Sequence, residues 1–392
     1  MDKFLKEAFD LFNYSQSLRR DFHRYPELGF QEKRTAEIVA RELNQLGLEV
    51  NAGIAQTGVV ALLEGEYPGP VVLLRFDMDA LPIQEQTEAE YASQIPGVMH
   101  ACGHDGHTAI GLTVARLLHS HRQELAGKVK FVFQPAEEGL GGAERMVAEG
   151  VLEAPRPDAC LALHLWNELP LGQLGISSGP TMAAAEIFTV QISGRGGHGA
   201  LPHLAVDPVL TAAQVITALQ GIVSRNVSPL QAAVISVTGL RGGDAFNVIP
   251  AQVKLQGTIR TFEPSVRTML LERFNQVACS VAEAFNCQAE VNIQSITPAV
   301  INNPHLATRV QTIASRLLPD AAIDSNFATM GSEDMAFFMQ DIPGCYFFIG
   351  SANQEQGLNA GHHHPRFDFD EQVLPRAAAL MAASAAEFLK QD

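Results

Sequence analysis

The segment VVLLRFDMDALP, residues 71–82, decides the fold: an apolar run broken only by Arg75 leads straight into Asp77, Asp79 and a proline. A run without polar alternation fits a strand covered on both faces in a central sheet. Upstream, helical spacing predicts helices over 3–25, closed by Pro26, and 31–46, stopped by Gly47, with a strand over 59–63. Downstream comes HACGHDGHT (100–108), then a helix over 108–121 and a strand over 129–133 that runs into QPAEEG (134–139). A helix over 143–149 and a strand over 160–165, with His164 at its end, complete the pattern. Strand and helix alternating, with polar chemistry at strand ends, predicts an open α/β sheet.

The pattern changes near Ala185. Strand 186–193, helix 207–224, strands 232–238 and 252–261, helix 264–285 and strand 289–294 follow in the order of a ferredoxin-like α+β sandwich. The first style then resumes, with a helix over 304–317, a buried strand over 345–349, a histidine-rich loop and an alanine-rich helix over 371–389. The expected architecture is therefore a discontinuous α/β domain, 1–184 and 298–392, interrupted by an α+β domain at 185–297.

Composition narrows the function. The 392 residues are 46% hydrophobic and 18% charged, as in an ordinary globular chain. A formal charge of −16 disfavours nucleic acid and anionic membrane, and an anionic substrate would need a local cationic clamp. No run has membrane-spanning length, and the N-terminal stretch lacks the apolar core of a signal peptide. Five scattered cysteines suit a reducing compartment, so a cytoplasmic location is expected.

Metal-ligand chemistry gathers at the strand ends. Cys102 and His104, two apart, would project from one face of an extended backbone. Glu137 and Glu138 follow a strand, where one carboxylate can bind metal while its neighbour serves as general base. His164 ends the next strand, and His362, His363 and His364 precede Pro365. Taken singly, each has a plain structural reading: an inert buried thiol, a satisfied histidine, a solvated acidic pair, an adventitious His-rich loop. Together they suffice for two metals sharing a ligand, and the mix favours zinc, manganese, cobalt or nickel over magnesium or calcium.

The segments RFDMDALP (75–82), MHACGHDGHT (99–108), FQPAEEG (133–139), LHLW (163–166), GRGGHGALPHLAVDP (194–208), NVIP (247–250), GTIR (257–260) and HHPRFDFDE (363–371) resemble the M20 metallopeptidases, in their amidohydrolase branch. The resemblance spans nearly the whole chain. It implies a zinc-peptidase-like catalytic domain and an inserted lid that also forms a dimer, with a tetramer left open. It implies Cys102, His104, Glu138, His164 and His363 as ligands of two divalent metals, with His362 and His364 as rivals for the last place. Glu137 matches the general base, and His198 a histidine that stabilises the oxyanion in the partner subunit's site. Asn247 and Arg260 match a clamp on the substrate carboxylate. Asp77 matches an acid that orients the site, its plain alternative being a salt bridge to Arg75. Asp105 and His107 are expected to cap the helix that follows or to support the ligands.

The function so implied is hydrolysis of the amide of an N-acyl-L-amino acid. A carboxypeptidase or dipeptidase acting on short peptides is the alternative, and a catalytically silent metal- or conjugate-binding protein a third reading. A binder has no use for a base beside its ligands, which Glu137 supplies.

Overall fold

The computed structural model describes residues 2–390, which fall into two compact units. The first comprises Met1–Thr181, Ile301–Ala328 and Asp334–Asp392, and the second Met182–Val300 with Thr329–Glu333. Among the described residues no helix is long and apolar enough to cross a membrane.

The first unit is built on an eight-stranded mixed sheet. Its strands lie in the order Glu49–Ile54, Gly58–Glu64, Ala126–Gln134, Tyr67–Asp77, Ala159–Pro170, Gly344–Ala352, Gln173–Gly175 and Ala322–Asp324. Tyr67–Asp77 is central, as its apolar run requires, with Val72, Leu73 and Leu74 fully buried. It runs parallel to both neighbours. The chain passes from it to Ala126–Gln134 on one side, then back across to Ala159–Pro170 on the other. Such a reversal opens a crevice at the carboxyl ends of the strands. Arg75 pairs with Ala162, so two residues further on Asp77 and His164 stand at the same level.

Helix His104–Ser120 crosses from the first of these strands to the second and is buried through most of its length. It packs against the sheet and against helices Phe12–Arg24 and Val373–Phe388. The alanines of the latter permit that close approach. The helix expected over 3–25 is two, Asp2–Asp10 and Phe12–Arg24. Backbone bonds of 3.0 Å from Leu11 N–H to Glu7 O and from Ser15 N–H to Leu11 O carry the ladder across the break.

The second unit has four antiparallel strands in the order Ala233–Arg241, Gln252–Thr261, Ala184–Ser193 and Gln288–Thr297. With helices Pro208–Asn226 and Pro264–Ala284 in the connections, this is the ferredoxin-like arrangement. Strand Gln252–Thr261 alternates between exposed and buried positions, and Leu255 and Ile259 join Phe188, Val215, Leu219 and Phe274 in a separate core. Helix Pro208–Asn226 starts where the residue types dictate: Asp207 accepts from Val209 N–H at 2.8 Å, and Pro208 needs no hydrogen bond at the first helical position.

Candidate metal centre

The donors gather toward the carboxyl ends of the central strands, from a turn, a helix start, a strand and two loops. Cys102 and His104 are not on an extended segment as expected. Gly103 between them has φ +89° and His104 opens a helix. A residue with a Cβ is strained at that angle, so glycine makes the sharp turn cheaply. The turn brings Cys102, His104 and His164 together, with one potential ligand atom from each lying within 4.8 Å of the others. Cys102 Sγ is 3.5 Å from His164 Nε2. His164 lies within the long strand Ala159–Pro170 rather than at its end.

The hydrogen bonds leave Nε2 of both imidazoles for a ligand role. His104 Nδ1 lies 2.9 Å from Asp79 O and 3.2 Å from Asp79 Oδ1, while its buried Nε2 has no hydrogen-bond partner. His164 Nδ1 donates to Leu165 O at 2.7 Å. Outer partners of this kind fix the tautomer and aim the ring at a metal.

Cys102 also belongs to a second group with Glu138 and His363, and Glu137 and Glu138 form a third with His104. His363 Nε2 is 3.2 Å from Glu138 Oε1. Of the three consecutive histidines, His363 is the one beside Cys102. His362 Nε2 instead donates to Leu165 O at 3.0 Å, and its ring stacks on Trp166 at 4.4 Å. His364 Nδ1 accepts from Arg366 N–H at 3.1 Å. Two non-glycine residues here hold left-handed backbone, Ala136 at φ +55° and His363 at φ +62°. Such conformations persist where surrounding bonds enforce them. His363 N–H donates to Ala101 O at 2.8 Å, and Ala136 N–H to Glu32 Oε1 at 2.9 Å.

Beneath the donors lies a buried acid layer. Asp77 accepts from His107 Nδ1 and from Arg75 Nη1, each at 2.6 Å, so the salt bridge to Arg75 is present beside a bond to His107. His107 Nε2 in turn accepts from Leu165 N–H at 2.9 Å, so both its nitrogens are engaged in hydrogen bonds. Arg75 continues to Gln134 Oε1 at 2.8 Å and Asp334 Oδ1 at 3.0 Å. Asp79 is the residue that sequence reasoning passed over: besides holding His104, its Oδ2 accepts from Glu138 N–H at 3.0 Å. The available signal was a second acid two residues after Asp77 at a strand end. Asp105 does not cap its helix. Its Oδ2 receives Arg19 Nε and His23 Nδ1, each at 2.8 Å, as a buried counter-ion.

The electrostatics fit a cation. Burial pushes the Cys102 thiol well above its ordinary range, and the carboxylates of Glu138 and Glu137 push it further. Burial and the surrounding imidazoles hold His164 well below its usual value, which keeps its lone pair available. A buried thiol among acids becomes a thiolate only with a compensating positive charge, which a divalent ion provides. Sulfur, imidazole and carboxylate donors in this mix suit zinc, manganese, cobalt or nickel.

The other expected residues are in the second unit. His198 and Asn247 lie on facing segments: His198 pairs with Val248, and Gly199 N–H donates to Asn247 O at 2.8 Å. His198 is exposed, with Nδ1 accepting from Ala200 N–H at 3.0 Å. Arg260 is half-buried on strand Gln252–Thr261 and donates to Thr258 Oγ1 and Ile259 O. Among the described residues no carboxylate is within ion-pair distance of it.

The model of peptidase family M20/M25/M40 matches residues 73–387. The chain is 41% identical to IAA-amino acid hydrolase ILR1-like 4 of Arabidopsis thaliana over 98% of its own length and 88% of the relative's. It is 36% identical to thermostable carboxypeptidase 1 of Saccharolobus solfataricus, over 99% and 98%. Among solved structures, the Bacillus subtilis YXEP protein, a dinuclear metal binding peptidase from the M20 family, superposes with a TM-score of 0.86 at 35% identity, covering 97% of this chain and 99% of that one.

Proposed function

Because the chain belongs to peptidase family M20/M25/M40, we propose that it is a dinuclear metal-dependent amidohydrolase that cleaves N-acyl-L-amino acids into a carboxylic acid and a free amino acid. The observation that carries this reading is the overlap of two donor groups at Cys102, with Glu137 beside them. Cys102, His104, Glu138, His164 and His363 would hold the ions, which are zinc, manganese, cobalt or nickel. Two such ions supply Lewis acidity, polarising an amide carbonyl and acidifying water.

The remaining steps belong to the chain. Glu137 takes the proton of the attacking water and returns it to the leaving nitrogen. Asp79 keeps His104 and Glu138 in place during the change of charge, since one carboxylate holds both. His198 donates to the developing oxyanion in the partner subunit's site. Arg260, with Asn247, takes the substrate's α-carboxylate. A guanidinium whose nearby carboxylate, Glu186, is engaged by Arg267 suits that task in an acidic protein. In this reading 1–184 and 298–392 form the catalytic domain, and 185–297 is a lid and dimerisation domain whose closure excludes water. A dimer is the minimal assembly and a tetramer is compatible with it. All five cysteines are unpaired, in keeping with the cytoplasm.

The carboxypeptidase relative favours a second reading, hydrolysis of short peptides, because an α-carboxylate clamp serves either substrate. A panel of N-acetyl amino acids, N-benzoyl amino acids, indole-3-acetyl amino acids and dipeptides decides between them. It is run after chelation and reconstitution with each metal. Preference for acyl conjugates supports the amidohydrolase, and preference for dipeptides replaces it. Inactivity with every metal would leave a binding protein.

A further inference from the structure

Where the chain leaves strand Ala159–Pro170, at the edge of the large sheet, it lines a groove of about 510 Å³. That volume falls in the range of small-molecule sites. Leu5, Phe9, Leu171, Leu318 and Ile349 are among the apolar residues that line it. Leu171 is seven residues beyond His164, on the order of 20 Å along extended chain. The groove shares no lining residue with the donor cluster.

One cation faces it. In helix Val373–Phe388 every residue from 373 to 385 is buried except Arg376. Arg376 sits in the first two turns, where the helix dipole disfavours positive charge. Among the described residues its guanidinium has no carboxylate within ion-pair reach and no hydrogen-bond partner. Its Nη1 lies 3.8 Å from the position a Cβ would take on Gly172, so the charge is held against the lining. Asp320, the other charged residue of the groove, is exposed on the turn closed by Ala321 N–H to Leu318 O and is not paired with Arg376.

We propose that this groove is a second binding site, for a small amphipathic monocarboxylate: the carboxylate on Arg376, the alkyl or aryl body against Leu171, Leu318 and Phe9. The guanidinium fork matches a carboxylate, and the bound anion would offset the charge that the helix start leaves uncompensated. Such an acid has two sources, an unrelated fatty acid or, resting on the function proposed above, the acid released by hydrolysis.

Equilibrium dialysis of the metal-loaded enzyme with labelled hexanoate tests the site, with hexanamide and hexylammonium as neutral and cationic probes of the same shape. Arg376→Gln should abolish one bound hexanoate per chain or weaken it about tenfold, while Arg376→Lys retains part of it and turnover is unchanged. Phe9→Ala, at a residue already 40% exposed, should weaken it several-fold even if the arginine variants fold poorly. Equal binding by Arg376→Gln, equal retention of hexanamide, or displacement by leucine stronger than by hexanoate would overturn the proposal; the last would point to a zwitterion bridging to Asp320. Tighter retention of acids released from the substrate panel supports the product source, and tighter retention of octanoate and decanoate supports the lipid source. Hexanoate binding requires no turnover, so a chain that hydrolyses no acyl amino acid yet binds hexanoate through Arg376 keeps this inference and loses the other.

Discussion

Glu137 and Glu138 are neighbours with the same functional group, and what separates the tasks proposed for them is their surroundings. Glu138 is tied at its backbone to Asp79 and approached by His363, which suits the ligand role proposed for it. Glu137 shares the group that contains His104 and Glu138, but not the one that contains Cys102 and His363. Glu137→Gln keeps size and shape but cannot accept a proton. Turnover should fall by about 10²–10⁴-fold with metal content unchanged by elemental analysis. An active Glu137→Gln enzyme would remove the general-base role. The consecutive histidines give a second contrast. His363→Ala should weaken metal binding by roughly 10–100-fold. His362→Ala, which disturbs a stack on Trp166 and a bond to Leu165 O, should leave metal content close to wild type. Parallel losses from both would mean that the loop presents its ligand differently.

At the scale of elements, the turn from 134 to 142 carries both glutamates, and its path depends on close backbone approach. A Cβ on Gly142 would stand 1.7 Å from Pro135 O, and Gly142 N–H donates to Ala136 O at 3.0 Å. Gly142→Ala must therefore push the turn outward. We expect a loss of about 1–3 kcal/mol in stability, as for other overpacked sites. At temperatures well below unfolding, activity should drop at least as far as it does for the metal-ligand variants. Unchanged activity and melting would show that the turn adapts freely. The same turn marks the boundary of what the sequence displays. Tyr67–Asp77 and Ala126–Gln134 were readable because burial on both faces demands apolar runs. Glu49–Ile54 was not, since as an edge strand it is mostly exposed and carries no such pattern. Cys102, His104, His164 and the pair Glu137 and Glu138 stood out by residue type near predicted strands, whereas the choice of Glu138 as ligand and Glu137 as base rested on the family resemblance. The preference for His363 over His362 likewise came from the resemblance, and the left-handed φ at His363 is a feature that no periodicity announces. Asp105 misled for a related reason: an acid at a helix start resembles a cap, and its partners Arg19 and His23 are over 80 residues away.

Those partners belong to a network that ties distant parts of the first unit together. Arg19, fully buried, pairs with Asp105, Asp368 and Glu371, and His23 with Asp105 and Glu85. Helix Phe12–Arg24, the helix that starts at His104, and the segment before the last helix are thereby joined by charge. Breaking one member of a buried ionic cluster is expensive, because the others remain buried without compensation. Burial and the Arg19 guanidinium would lower the pKa of His23, yet the bonds to Asp105 and Glu85 prevail and raise it to about 8. Burial likewise would raise Asp105, but Arg19 and His23 hold it far below the usual carboxylate range. The two signs define a window. The folded pKa of His23 exceeds its unfolded value of about 6.5, so its stabilisation is complete below pH 6.5 and disappears as the pH rises through 8. Asp105 acts oppositely, contributing above about pH 4 and losing its contribution in acid. Stability from this network should peak between these limits. Chemical denaturation of the metal-loaded protein from pH 6 to 9, compared with His23→Gln, isolates the histidine. The wild type should lose on the order of 2 kcal/mol more than the variant across that interval. Superimposable pH profiles would show that His23 is neutral in the fold and that Arg19 alone balances Asp105.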